Sequence, residues 1–224
     1  MFRDLLWVET RVHGTQNKLQ EHVRRFIPKE QHLLPIVVAR LCFSLYAAAL
    51  LFFLTLVWIF SMTNQAAIHS SAKLSDTVVN SYLSDLEDAE LMTRPGIGCN
   101  HLAWQLGHLI SSEVQLLESI APQNGLTLPE GFAAAHGKET NGSDDAAAFL
   151  GKQAYLDLYA QVRDATANAL NAATEAELKA DAPESFRGFC PTVLDMYVLI
   201  AAHPMMHAGQ FAVARRQLGK PVLM

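Results

Sequence analysis

From Leu41 to Met62 the chain reads LCFSLYAAALLFFLTLVWIFSM, with no Asp, Glu, Lys, Arg, His, Pro or Gly. No other feature of the sequence restricts its folding so strongly. A helix needs about 20 apolar residues to cross the hydrocarbon core of a bilayer, and Trp58 stands near one end, where an indole suits the interface. Before the run, Arg3, Arg11, Lys18, Arg24, Arg25, Lys29 and Arg40 outnumber Asp4, Glu9, Glu21 and Glu30. Over the next twenty residues Lys73 is the only Lys or Arg. The positive-inside bias therefore predicts a single-pass membrane protein with a cytoplasmic N-terminus. The segment is too long, and too far along the chain, for a cleaved signal peptide. Two other readings stand beside this one. The run could be a buried core helix, although such helices usually carry a polar stripe. Alternatively, Met62-Thr63-Asn64-Gln65 reads as a natural start, which would make the protein cytoplasmic.

The predicted organisation is a basic segment (1–40), a transmembrane helix (41–62) and a domain over 63–224. Beyond Met62 there are 10 basic and 18 acidic residues, a net of −8. No basic patch interleaved with aromatics occurs, so no nucleic-acid partner is expected. Cys42 lies in the apolar run, while Cys99 and Cys190 are isolated. Without a CxxC pair there is neither a thiolate zinc knuckle nor a dithiol redox motif. Whether Cys99 and Cys190 pair is open at this level.

The domain reads as four helices. Ile68, Leu74, Val78 and Tyr82 give a stripe over about 64–83. Asn100 offers an N-cap for a second helix over 101–120. Pro122 through Asp145 forms a long loop in which Leu126, Leu128 and Phe132 can fold back over the bundle. A third helix spans about 152–173, and a fourth opens at Thr192 and stops at Gly219. No sustained strand-like alternation is present. The fold class is therefore all-α, a four-helix bundle behind one hydrophobic helix.

His203 and His207 stand four residues apart near the middle of the fourth helix, so both imidazoles share one face, with Gln210 beside them. His108 lies in the apolar second helix, after Gly107, which would let a neighbouring helix come close. Three imidazoles with coordination positions left open suit a catalytic type of metal site rather than a closed structural one. The plain alternative is ordinary core or surface histidines. A protonated imidazole cannot ligate, so such a site should lose its metal below about pH 6. His101 in a first helical turn and His136 in a Gly/Ala-rich loop read as solvated. Pro204 should kink the fourth helix and leave the Ile200 carbonyl unpaired. Asp195 is a candidate to orient a ligand from behind. Met205, Met206, Trp104 and Phe211 read as packing residues. Arg215, Arg216 and Lys220 read as a cationic helix end, or as partners for an anionic substrate.

The segments Asn100-His101-Leu-Ala-Trp104-Gln105-Leu-Gly107-His108-Leu109, Met206-His207-Ala208-Gly209-Gln210-Phe211 and Arg215-Arg216-x-Leu218-Gly219-Lys220-Pro221 together resemble the DinB-like (DinB/YfiT) superfamily, over roughly 62–224. The resemblance implies a four-helix bundle holding a divalent metal, often zinc or nickel, on three histidines, which fall on His108, His203 and His207. It also implies thiol-dependent transferase or isomerase activity on a small molecule, with a low-molecular-weight thiol as co-substrate, and a homodimer as a possible assembly. Pro204 and the hydrophobic helix depart from the family pattern. The function expected is a metal-dependent thiol transferase or hydrolase. The alternative is a non-catalytic, membrane-tethered module that binds metal or a partner. No residue is nominated as a general base.

Overall fold

The computed structural model describes residues 63–124 and 126–223. The basic segment and the predicted transmembrane helix lie outside the described residues. Among the described residues, no helix is long and apolar enough to cross a membrane.

Seven α-helices are present among them: α1 (Asn64–Leu83), α2 (Leu102–Ile120), α3 (Phe132–Ala135), α4 (Lys152–Ala172), α5 (Glu175–Leu178), α6 (Glu184–Arg187) and α7 (Val193–Gln217). No strand occurs there; the extended backbone makes one isolated bridge, Asp181 with Thr192. Local chemistry sets the helix limits. The Thr63 side chain accepts from the Ala66 amide at the start of α1. Thr192 and Asp195 form a reciprocal capping box at the start of α7. At the other end of α7, Gly219 turns with φ 70° and the Lys220 amide donates to the Arg215 carbonyl at 2.9 Å. The capping box occupies Asp195, so it does not serve the histidines.

Paired contacts establish the directions of the four long helices. Ile68 clusters with Tyr197 at one end of α1, while the Tyr82 carbonyl meets Arg215 at the other. Thus α1 and α7 run parallel. Leu117 packs with Tyr197, and Gln105 meets His207, so α2 opposes α7. The Gln65 side chain donates to the Ala173 carbonyl at 2.9 Å, while Tyr159 reaches Asp76, so α4 opposes α1. It follows that α2 and α4 share a direction, and the crossover between them must return along the bundle. Leu126, Leu128 and buried Phe132 of that crossover pack on the main core beside Leu102, Leu106, Tyr155 and Phe211. This is the folding-back expected of them.

Two arginines are interior. Arg215 is fully buried, donating to the carbonyls of Tyr82 (2.7 Å) and Pro221 (2.8 Å) and pairing with Asp85. It is therefore a clasp between the ends of α1 and α7, not a solvated helix end. Lys220 pairs with Glu90 at 3.0 Å, and only Arg216 of the three cations is exposed. Arg163 crosses from α4 to Glu113 on α2, which is 3% exposed; its Nη1 lies 3.1 and 3.0 Å from the two carboxylate oxygens. Burial pushes the Glu113 carboxyl up, against the pull of the Arg163 charge and the Thr166 hydroxyl. Cys99 and Cys190 are both free. They precede the antiparallel helices α2 and α7, at opposite ends of the bundle, and so cannot pair.

Candidate metal centre

His108, on the second turn of α2, and His203 and His207, on α7, bring one ligand atom each to within 4.8 Å of one another. Each residue is half-buried, so the cluster sits between two helices with a side open to solvent. No Asp, Glu or Cys joins it among the described residues.

The ring orientations are held from behind. The Gln105 amide nitrogen donates to the Asn100 carbonyl at 2.6 Å, which leaves its oxygen to accept from His207 Nδ1 at 2.9 Å. That hydrogen bond places the His207 proton on Nδ1 and leaves Nε2 with a free lone pair. Nε2 of His207 lies 3.3 Å from Nε2 of His203. Ser112 Oγ lies 3.3 Å from His108 Nδ1. The indole of Trp104 stacks on His108 with centroids 5.0 Å apart and planes 12° apart. Its N–H is tied to the Gly137 carbonyl and the Thr140 hydroxyl, both at 3.3 Å.

This donor set fits a divalent cation. Two nitrogens on one zinc, each about 2.0–2.1 Å away across a tetrahedral angle, stand about 3.3–3.4 Å apart. The spacing of His203 and His207 already matches that chord. Burial, then the neighbouring imidazoles, lowers His203 to about 4 and His207 to about 3; burial lowers His108 as well. Burial therefore favours the neutral form of all three rings, the form that ligation requires, and keeps His203 and His207 neutral below the pH 6 at which ordinary histidines would begin to release a metal.

Several expectations fail nearby. His101 is completely buried, and its Nδ1 caps α2 by accepting from the Trp104 amide at 3.0 Å, the task assigned to Asn100. His136 is 2% exposed: Nδ1 donates to the Phe132 carbonyl at 2.8 Å, and Nε2 accepts from the Tyr155 hydroxyl at 2.6 Å. Burial pushes the Tyr155 hydroxyl up to about 12, so it remains a donor. What comes close to Gly107 is the His136 ring, not a helix. Met205 and Met206 are exposed, whereas Phe211 is core. Gln210 is exposed at the edge of the α7 face. Gln105, Glu113 and Arg163 were not anticipated. A polar residue three positions before a candidate ligand on an apolar helix was the one available signal for Gln105.

A cavity of about 520 Å³ lies away from His108, His203 and His207, none of which lines it. It opens between α1 and α4 over Asp76 and Arg163, with Ile200 of α7 in its lining.

A bundle of four long helices with a three-histidine centre between α2 and α7 defines a helical protein equipped to hold a metal ion. Residues 74–211 match the model of the DinB superfamily, and the chain belongs to that superfamily. No curated protein matches the chain.

Proposed function

We propose that the protein is a metal-dependent enzyme acting on a small electrophilic molecule by thiol transfer or hydrolysis, with zinc or nickel on His108, His203 and His207. The observation that carries this reading is the 3.3 Å separation of the His203 and His207 Nε2 atoms, on rings kept neutral by burial and, for His207, oriented by Gln105. Three protein ligands leave a position free, and a bound divalent cation supplies Lewis acidity that lowers the pKa of a water or thiol there. The residues of the chain do the rest: Gln105 keeps the His207 proton on Nδ1, and Trp104 bars rotation of His108. No carboxylate joins the three rings as a further ligand among the described residues, and their half-buried setting leaves the cluster accessible to solvent for exchange of a proton.

Leu41–Met62 we read as a membrane span with a cytoplasmic N-terminus, and the bundle as its tethered domain. A low-molecular-weight thiol is the fitting co-substrate if translation starts at Met62 and the bundle is cytosolic. Water is the fitting one if the bundle is exported.

The test is metal content by elemental analysis of the full chain, purified without chelator, beside His207→Ala. One equivalent in the native protein, lost in the variant, supports the centre; turnover of electrophiles with and without added thiol then separates transferase from hydrolase. Absence of metal in the native protein, even after reloading with zinc or nickel, sinks the reading.

A further inference from the structure

We infer that Arg163 is a positioning residue for the histidine centre, acting through the backbone carbonyl that Pro204 leaves without a donor. The inference rests on reading His108, His203 and His207 as a metal site.

In a continuous α-helix the amide of residue 204 donates to the carbonyl of residue 200, and proline has no amide hydrogen. Pro204 lies inside α7, which nonetheless runs unbroken from Val193 to Gln217. The carbonyl concerned belongs to Ile200, 2% exposed, on the turn that leads to His203. So buried a carbonyl requires a hydrogen-bond partner. Arg163 supplies it: Nη1 donates to the Ile200 carbonyl at 3.3 Å.

Arg163 cannot swing away from this role. Its Nη1 is held by both oxygens of Glu113 on α2, and Glu113 is fixed by the Thr166 hydroxyl at 2.6 Å. On the α1 side, Nε stands 2.9 Å from Asp76 Oδ1, an ion contact without the alignment of a hydrogen bond. Asp76 in turn accepts from the Tyr159 hydroxyl at 2.7 Å. The guanidinium thus joins α1, α2 and α4 to the one turn of α7 that proline weakens. Because Glu113 lies on the same helix as His108, the strut ties the α2 ligand to the α7 ligands through side chains that touch none of them. A helix interrupted by proline keeps its ligand spacing because a side chain from α4 replaces the missing amide.

The experiment uses the full-length chain and asks whether restoring the amide makes the arginine dispensable. Arg163→Met is combined with Glu113→Gln, so that no lone carboxylate stays buried, and the pair is placed in the native and the Pro204→Ala backgrounds. Zinc affinity is read by competition with a chromophoric chelator, and geometry by the visible bands of the cobalt-substituted protein. In the native background zinc should bind about tenfold more weakly, the size of loss typical for residues supporting ligands from behind, with altered cobalt bands. In the Pro204→Ala background the same pair should leave affinity and bands nearly unchanged. Equal loss in both backgrounds, or loss in neither, overturns the inference and leaves the metal site standing. Failure of the native protein to bind zinc or cobalt overturns the site itself and the inference with it. Should the double substitution prevent folding, judged by circular dichroism, Arg163→Lys takes its place. Its single ammonium can pair with Glu113 but cannot also span to Ile200, so the same dependence on Pro204 is expected.

Discussion

His136 occupies the space that a side chain on residue 107 would need: a Cβ built on Gly107 stands 2.0 Å from His136 Cδ2. The imidazole cannot retreat, because Phe132 and Tyr155 hold its two nitrogens. The crossover between α2 and α4 is in this way locked onto the backbone immediately before His108.

Gly107→Ala should therefore destabilise the protein by about 1–3 kcal/mol, the cost of overpacking a filled site. His136→Ala should also destabilise, by removing two buried hydrogen bonds. The double variant should lose less than the sum of the two, since the clash disappears. Urea unfolding of the three variants measures this, and strict additivity would refute the contact.

Gln105→Leu should retain one metal equivalent while weakening affinity about 10–100-fold, because the His207 tautomer is no longer imposed. A chelator-competition titration against His207→Ala, which should abolish binding under the same conditions, gives the comparison. An unchanged affinity would show that His207 orients itself.

The metal-free protein should lose stability as pH falls from about 6.5. Burial holds His203 to about 4 and His207 to about 3 in the fold, and lowers His101, His108 and His136 too. The unfolded chain then binds more protons between those values and the ordinary histidine value, so their contribution is complete above pH 6.5 and lost below it. Glu113, pushed up by burial, works in the opposite sense over part of this range. The net expectation is a lower urea midpoint at pH 5 than at pH 7.5 in the presence of chelator; equal midpoints would count against it.

Neighbouring arginines should behave differently. Arg215→Met strips donors from the buried carbonyl of Tyr82 and from Pro221, and should cost about 2–4 kcal/mol. Arg216→Met, on the exposed side, should stay within about 0.5 kcal/mol. Thermal melts of the two purified variants suffice to compare them.

The four long helices were legible because their limits are written in local chemistry. Thr63 and Thr192 cap, Gly219 stops, and the proline- and glycine-rich stretches interrupt, all within a few residues of the backbone they govern. The α1 limits, 64–83, agree with expectation at both ends. The histidine pair was legible for a similar reason, since a spacing of four residues on a helix is already a statement about space. His108 joined them through the apolar character of α2 and a family resemblance, and the fold brings all three rings into one group that could hold a metal ion.

Other residues depended on what the crossover and the neighbouring helices brought to them. His136 lies in a segment that reads as a solvated loop, yet it is buried because that segment returns along the bundle and seats the ring on Gly107. Arg163 and Arg215 look like surface charges on amphipathic helices; their burial follows from Glu113 and Asp85, partners 50 and 130 residues away in sequence. The bare carbonyl created by Pro204 was foreseeable from the backbone alone, but not the arginine that fills it. Sequence by itself determined the helices and which ligand atoms could share a face, because those are effects of the nearest few residues. Tertiary structure alone decided the helix directions, the buried charges and the support of the histidines, because each depends on groups that only the packed bundle brings within bonding distance.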